Sequence, residues 1–133
     1  RFAADATLSA ALQQAAGTVL QDPAAVLGAK AVQTFGLNHA RLHHGLVVSG
    51  DRFVATALES NRLRSEHPHA LAVEMECAAV AQVCHDYGVP FAAVRTVSDR
   101  ADDTAHVDFA RFLAQVASRY SAATVNALLK GLS

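Results

Sequence analysis

Apolar and polar positions alternate along the chain in blocks of different period. From Asp5 onward, Leu8, Leu12, Ala15, Ala16, Val19 and Leu20 recur at the spacing of one helical face, and Asp22-Pro23 interrupts the row. Asp5 is the N-cap candidate. The stretch from Ala24 to Leu37 holds Val26, Leu27, Val32 and Phe35 without a clean period and is punctuated by Gly28 and Gly36, so it reads as a short helix or an irregular connection. Arg41 to Val48 ends in β-branched Val47-Val48 before Ser49-Gly50-Asp51, the pattern of a strand running into a turn. Thr56 to Glu66 predicts a helix stopped by Pro68, and Ala70-Leu71-Ala72-Val73 a brief strand that empties into Glu74-Met75-Glu76. Cys77, Val80, Ala81, Cys84 and Tyr87 mark a further helix closed by Gly88. A third strand is expected over Phe91 to Val97, running into Ser98-Asp99. After a polar loop through Asp103 comes a long final helix with Phe109, Phe112, Leu113, Val116, Tyr120 and Leu128 on one side.

Strands alternating with helices predict an α/β fold, a layered sheet with flanking helices, because parallel neighbours need crossover connections. In open α/β sheets ligands sit beyond the carboxyl ends of the strands. All the expected strand ends carry acids: Asp51, the Glu74/Glu76 pair and Asp99. Singly, each has an ordinary reading as a turn, cap or first-turn residue. Carboxylates converging on one crevice repel one another, and a polyol, a cation or a proton would make them tolerable.

Composition narrows the chemistry. A chain of 133 residues, 52% hydrophobic and 17% charged, fits one folded domain, residues 1–133, rather than a disordered segment. With 11 Lys+Arg against 12 Asp+Glu it lacks the cationic surplus that nucleic acid or an anionic membrane would select. Its apolar stretches are interrupted well before the roughly 18 residues a membrane span requires. The 29 alanines bias the chain towards helix. Cys77 and Cys84, seven residues apart on a helix, would be separated by roughly 10 Å, beyond disulfide reach, and unpaired thiols without a secretory leader fit a reducing cytoplasm. Asp99, Asp102 and Asp103 only approach a calcium or magnesium cage, and neither His43-His44 nor His67 with His69 has zinc-ligand spacing. Neither a nucleophile elbow nor a Gly-rich phosphate loop is present, and Cys77 reads as a small hydrophobe rather than a nucleophile. No metal or cofactor is called for.

Val73-Glu74-Met75-Glu76, followed by Val94-Arg95-Thr96-Val97-Ser98-Asp99, resembles the nucleoside phosphorylase/nucleosidase superfamily. Val47 to Val54 and His106 to Leu113 further resemble the bacterial 5'-methylthioadenosine/S-adenosylhomocysteine nucleosidases within it. The match runs from about Arg41 to the end of the chain. The first motifs are shared with hexameric purine phosphorylases, whereas the phenylalanine-containing segments favour the nucleosidases. The resemblance implies that Asp99 is the acid that sends a proton towards N7 of adenine, with Ser98 orienting it. It implies that Phe53 stacks on the purine, that backbone groups of Val54 read the adenine edge, and that Met75 and Glu76 hold the ribose. Phe109 would close over the purine or the alkylthio side, Arg95 would support the carboxylates near the attacking water, and Glu74 would have a weaker part. It also implies a homodimer and a chain corresponding to the C-terminal half of a larger nucleosidase domain, whose other half supplies the first strands and the water-activating glutamate.

These residue types suit the chemistry. Breaking an N-glycosidic bond passes through an oxocarbenium-like sugar, so positive charge on the ribose must be stabilised and the departing base neutralised. A carboxylate on the hydroxyls and an acid at the base do both. Two alternatives stay open at this point: a phosphorolytic enzyme of the same superfamily, and a non-catalytic nucleoside-binding module. Related substrates such as aminofutalosine are open too, because the family builds the pocket for the 5' substituent largely from the other half.

Overall fold

The computed structural model describes residues 1–98 and 109–132. Helix α1 spans Ala6–Gln21 and starts where expected: the Asp5 side chain accepts the Leu8 amide at 2.8 Å, supplying one of the orphan donors of the first turn. It ends at Asp22, whose carboxylate caps the next helix by accepting the Ala25 amide at 3.0 Å. The ambiguous stretch that follows forms two short helices, α2 (Pro23–Leu27) and α3 (Ala29–Thr34), and a 3-10 turn (Leu37–His39). Leu27 and Val32 are buried beside Val19 of α1, which explains the blurred period: each short helix contributes a single anchor.

Strand β1 is Leu46–Ser49, shorter than the Arg41–Val48 expectation, because Arg41 to His44 are exposed and do not pair. Helix α4 (Ala57–Glu66) makes the crossover, and β2 (Ala70–Glu74) returns parallel to β1. The register pairs Val48 with Val73 and Ser49 with Glu74, with an irregularity between Leu46 and Val47. Helix α5 (Cys77–Asp86) leaves directly from the end of β2. Gly88 closes it at φ 66°, a left-handed position that a side chain would strain, and lets the Val89 amide reach back to the Cys84 carbonyl at 2.8 Å.

The third strand expected over Phe91 to Val97 is corrected. Among the described residues the sheet has two strands, and this segment has no ladder to either. Its apolar run meets the packing requirement of a strand but not the hydrogen-bonding one. It is held instead by the Asp5 amide, which donates to the Phe91 carbonyl at 2.7 Å, and by the Arg95 side chain at the mouth of β2.

The expected final helix begins with α6 (Phe109–Phe112), passes through a π-helical turn over Leu113–Ala117 and continues as α7 (Ser118–Gly131). The wider turn corrects the predicted face: Val116 is fully buried and Tyr120 nearly so, whereas Leu113 is 49% exposed. Helix α7 packs along α1, and Val19, Leu27, Val32, Val116 and Tyr120 form the core, flanked by Phe35 and Phe112 in an edge-to-face contact at 5.5 Å. The result is an α/β arrangement with a small parallel sheet and flanking helices. Among the described residues no helix is long and apolar enough to cross a membrane. Both cysteines are free.

Candidate active site

Parallel strands deliver both of their carboxyl ends to one edge of the sheet, and here that edge is built around Glu74. It is the last residue of β2 and a buried charge, with 5% of its side chain exposed. Such a charge must be met by donors. The Glu74 carboxylate accepts the amide of Glu76 at 3.0 Å and that of Cys77 at 2.9 and 3.1 Å, so it fills the place of a cap at the start of α5, where Glu76 itself makes no side-chain cap. Ser49, opposite Glu74 in the register, donates its hydroxyl to the same carboxylate and accepts the Ala78 amide at 2.9 Å. Burial alone would push the Glu74 carboxyl up, but the hydrogen bonds from Ser49, Glu76 and Cys77 prevail and hold it down at about 2. Burial, reinforced by the adjacent Glu74 carboxylate, pushes the Cys77 thiol up to about 11, the opposite of what a thiolate nucleophile needs.

Arg95 reaches into this corner from the unpaired segment. Its Nη1 lies 3.7 Å from Glu74 and its Nη2 2.9 Å from Glu76 Oε2, so one guanidinium spans two carboxylates of very different exposure: Glu76 is 63% exposed and faces outward. Below them lies a cavity of ≈ 890 Å³ along the strand ends. The loop after β1 contributes Phe53 and Val54, the β2–α5 junction Met75 and Glu76, the extended segment Arg95 and Ser98, and the start of α6 contributes Phe109. Phe53, Met75 and Phe109 present partly exposed apolar surface, suited to a flat aromatic ligand. The loop is steadied by Thr56, whose hydroxyl caps α4 at the Glu59 amide, and by an Arg52–Glu59 ion pair at 3.1 Å.

Every described candidate is therefore brought to one cavity: Phe53, Val54, Met75, Glu76, Arg95, Ser98 and Phe109. Asp99, the expected acid, lies outside the described residues. The expected convergence of acids needs correcting at Asp51, which is exposed and does not line the cavity, although Arg52, Phe53 and Val54 after it do; beside Glu74 at the edge stands Ser49. Sequence reasoning gave Glu74 too small a part. The signal available was position: an acid that ends a strand and lies three residues before a helix start can reach forward to accept the free amides of its first turn. Among the described residues no three His, Cys, Asp or Glu side chains come together as a metal cage.

The family model of the Phosphorylase superfamily matches residues 1–130. The fold is similar to that of 5'-methylthioadenosine/S-adenosylhomocysteine nucleosidase from Neisseria meningitidis, solved with methylthio-immucillin-A: 38% identity over 98% of this chain and 48% of that one, TM-score 0.75. It is similar to S-adenosylhomocysteine nucleosidase from Streptococcus pyogenes, solved with 5-methylthiotubericidin, at 28% identity over 99% of this chain and 48% of that one, TM-score 0.75. Futalosine hydrolase of Helicobacter pylori matches at 29% identity over 98% of this chain and 47% of that one, TM-score 0.73. The chain spans about half the length of these relatives.

Proposed function

The chain belongs to the phosphorylase superfamily, and from that premise we propose that it carries the nucleoside-binding and proton-donating side of an N-ribosyl hydrolase. The reaction is hydrolysis of the N-glycosidic bond of 5'-methylthioadenosine and S-adenosylhomocysteine, giving adenine and the 5-thioribose product. The observation that carries this reading is the single cavity that gathers Phe53, Val54, Met75, Glu76, Arg95, Ser98 and Phe109 at the strand ends. The Neisseria nucleosidase, at 38% identity, supports the choice of substrate.

In this reading the purine stacks on Phe53 while backbone groups of Val54 meet its edge. Glu76 accepts hydrogen bonds from the ribose hydroxyls and places negative charge near the sugar as the bond to the base lengthens. Asp99, oriented by Ser98, donates a proton to N7, so that adenine departs neutral; general acid help of this kind contributes about 10²–10⁴ in rate. Phe109 closes over the ligand from α6. No cofactor takes part. The working unit is a homodimer in the cytoplasm, acting in methionine salvage and binding neither nucleic acid nor membrane.

The test is adenine release from 5'-methylthioadenosine by the complete gene product, in which the other half of the domain supplies the water-activating glutamate, and by its Asp99→Asn variant, with and without phosphate. The expected result is phosphate-independent release that Asp99→Asn largely abolishes with the fold retained. Release only in the presence of phosphate would move the chain to the phosphorolytic branch, and binding without release would make it a nucleoside-binding module. A second reading changes only the 5' group: the match to futalosine hydrolase favours assaying futalosine and aminofutalosine alongside.

A further inference from the structure

Resting on the reading of Glu76 as the ribose-gripping group, we infer that Glu74 is a positioning residue that keeps Arg95 from closing on Glu76 as an exclusive ion pair. Glu76 is exposed, and an exposed carboxylate beside an arginine has a natural partner in the planar guanidinium fork, which can engage both of its oxygens at once. A Glu76 so engaged would keep only one outer lone pair on each oxygen for a sugar, in directions that the guanidinium fixes. In the structure that collapse is resisted. Arg95 sends Nη1 towards Glu74 at 3.7 Å and Nη2 to Oε2 of Glu76 at 2.9 Å, so the guanidinium is divided between the two acids. Glu74 can hold its share because it does not move. It ends a strand, is buried, and is fixed by the amides of Glu76 and Cys77 and by the Ser49 hydroxyl. The Glu76 amide is itself one of those donors, so Glu74 orients the outer acid twice, through its backbone and through Arg95. The hydrogen bonds that hold Glu74 ionised keep this division in force across the neutral range.

The consequence is specific to the sugar hydroxyls, which separates positioning from mere structural support. The probe is 5'-methylthiotubercidin, a 7-deaza nucleoside that lacks the nitrogen the acid protonates, compared by calorimetry with its 2'-deoxy counterpart on the full chain. The unsubstituted chain is expected to prefer the ribonucleoside by about tenfold or more, the worth of a hydrogen bond to a charged acceptor. In Glu74→Gln that preference falls towards unity, chiefly through loss of ribonucleoside affinity. The double variant Glu74→Gln with Arg95→Lys regains part of it, because an ammonium is a compact, strongly hydrated point charge without the rigid fork that clamps both oxygens side by side. Equal weakening of both nucleosides in Glu74→Gln, or an unchanged preference, overturns the inference. Glu76→Ala separates the two levels: if it leaves the preference intact, the ribose-binding reading fails and the inference with it. If Glu76→Ala removes the preference while Glu74→Gln does not, only the inference fails. Binding of neither nucleoside by the unsubstituted chain overturns both.

Discussion

A carboxylate that receives two amides and a hydroxyl in a buried corner stays charged where most carboxylates would take up a proton, and Glu74 is such a group. Its carboxyl is held at about 2 against an ordinary 4.5, so the unfolded chain binds its proton more readily than the folded one. The stabilisation is therefore complete above the ordinary value and drains away as pH falls from there towards about 2. Glu74→Gln should cost about 1–3 kcal/mol in urea unfolding at about pH 6, with the gap to the unsubstituted chain narrowing at about pH 3. A gap independent of pH would show that charge is not what Glu74 contributes. At this scale the motif Glu74-Met75-Glu76 was legible in the sequence, but the division of labour between its acids was not. Linear order says that both follow a strand; only the fold makes one a buried anchor and the other an exposed arm. Asp51 failed for the same reason, since nothing local announces that its side chain stays outside a cavity that Arg52, Phe53 and Val54 line.

At the scale of elements, the cap at Asp5 was legible in the sequence, whereas those at Asp22 and Thr56 emerge only from the fold. Asp5, Asp22 and Thr56 each begin a helix by accepting an amide of its first turn. Thr56 has an added consequence because α4 is also the crossover between the strands and lines the cavity with Ala57, Ser60 and Asn61. Thr56→Ala should lower stability by about 1 kcal/mol in thermal or urea unfolding and loosen the Phe53 loop, seen as faster amide exchange over residues 52–59 than in the unsubstituted chain. The third strand was the least readable. Phe91 to Val97 has a strand's residues, yet pairing depends on the reach of two distant backbones, which composition does not encode. The two short helices before β1 blurred the pattern because five or six residues are too few to display a period.

Across the whole molecule, the load is divided between two regions. The core lies in the helical layer, where residues as distant in sequence as Val19 and Tyr120 meet, and the candidate site lies at the tips of the sheet. Val116 is the most completely buried of the core side chains. Val116→Ala should therefore cost about 2–3 kcal/mol in denaturant unfolding while leaving nucleoside affinity of the folded protein unchanged; a parallel loss of affinity would mean that the two regions are coupled.

The π-helical turn connects them by phase rather than by contact. In an α-helix a step of four residues overshoots a full turn by about 40°, so a row at that spacing drifts around the cylinder. The wider turn over Leu113–Ala117 takes up that drift and keeps Phe112, Val116 and Tyr120 aimed at one core. It amounts to a spare residue stored in the helix, and it sets the rotation of everything upstream. Remove one residue there and α6 would turn by about 100° relative to α7, swinging the Phe109 ring away from the candidate cavity while every side chain of that cavity stayed in the sequence.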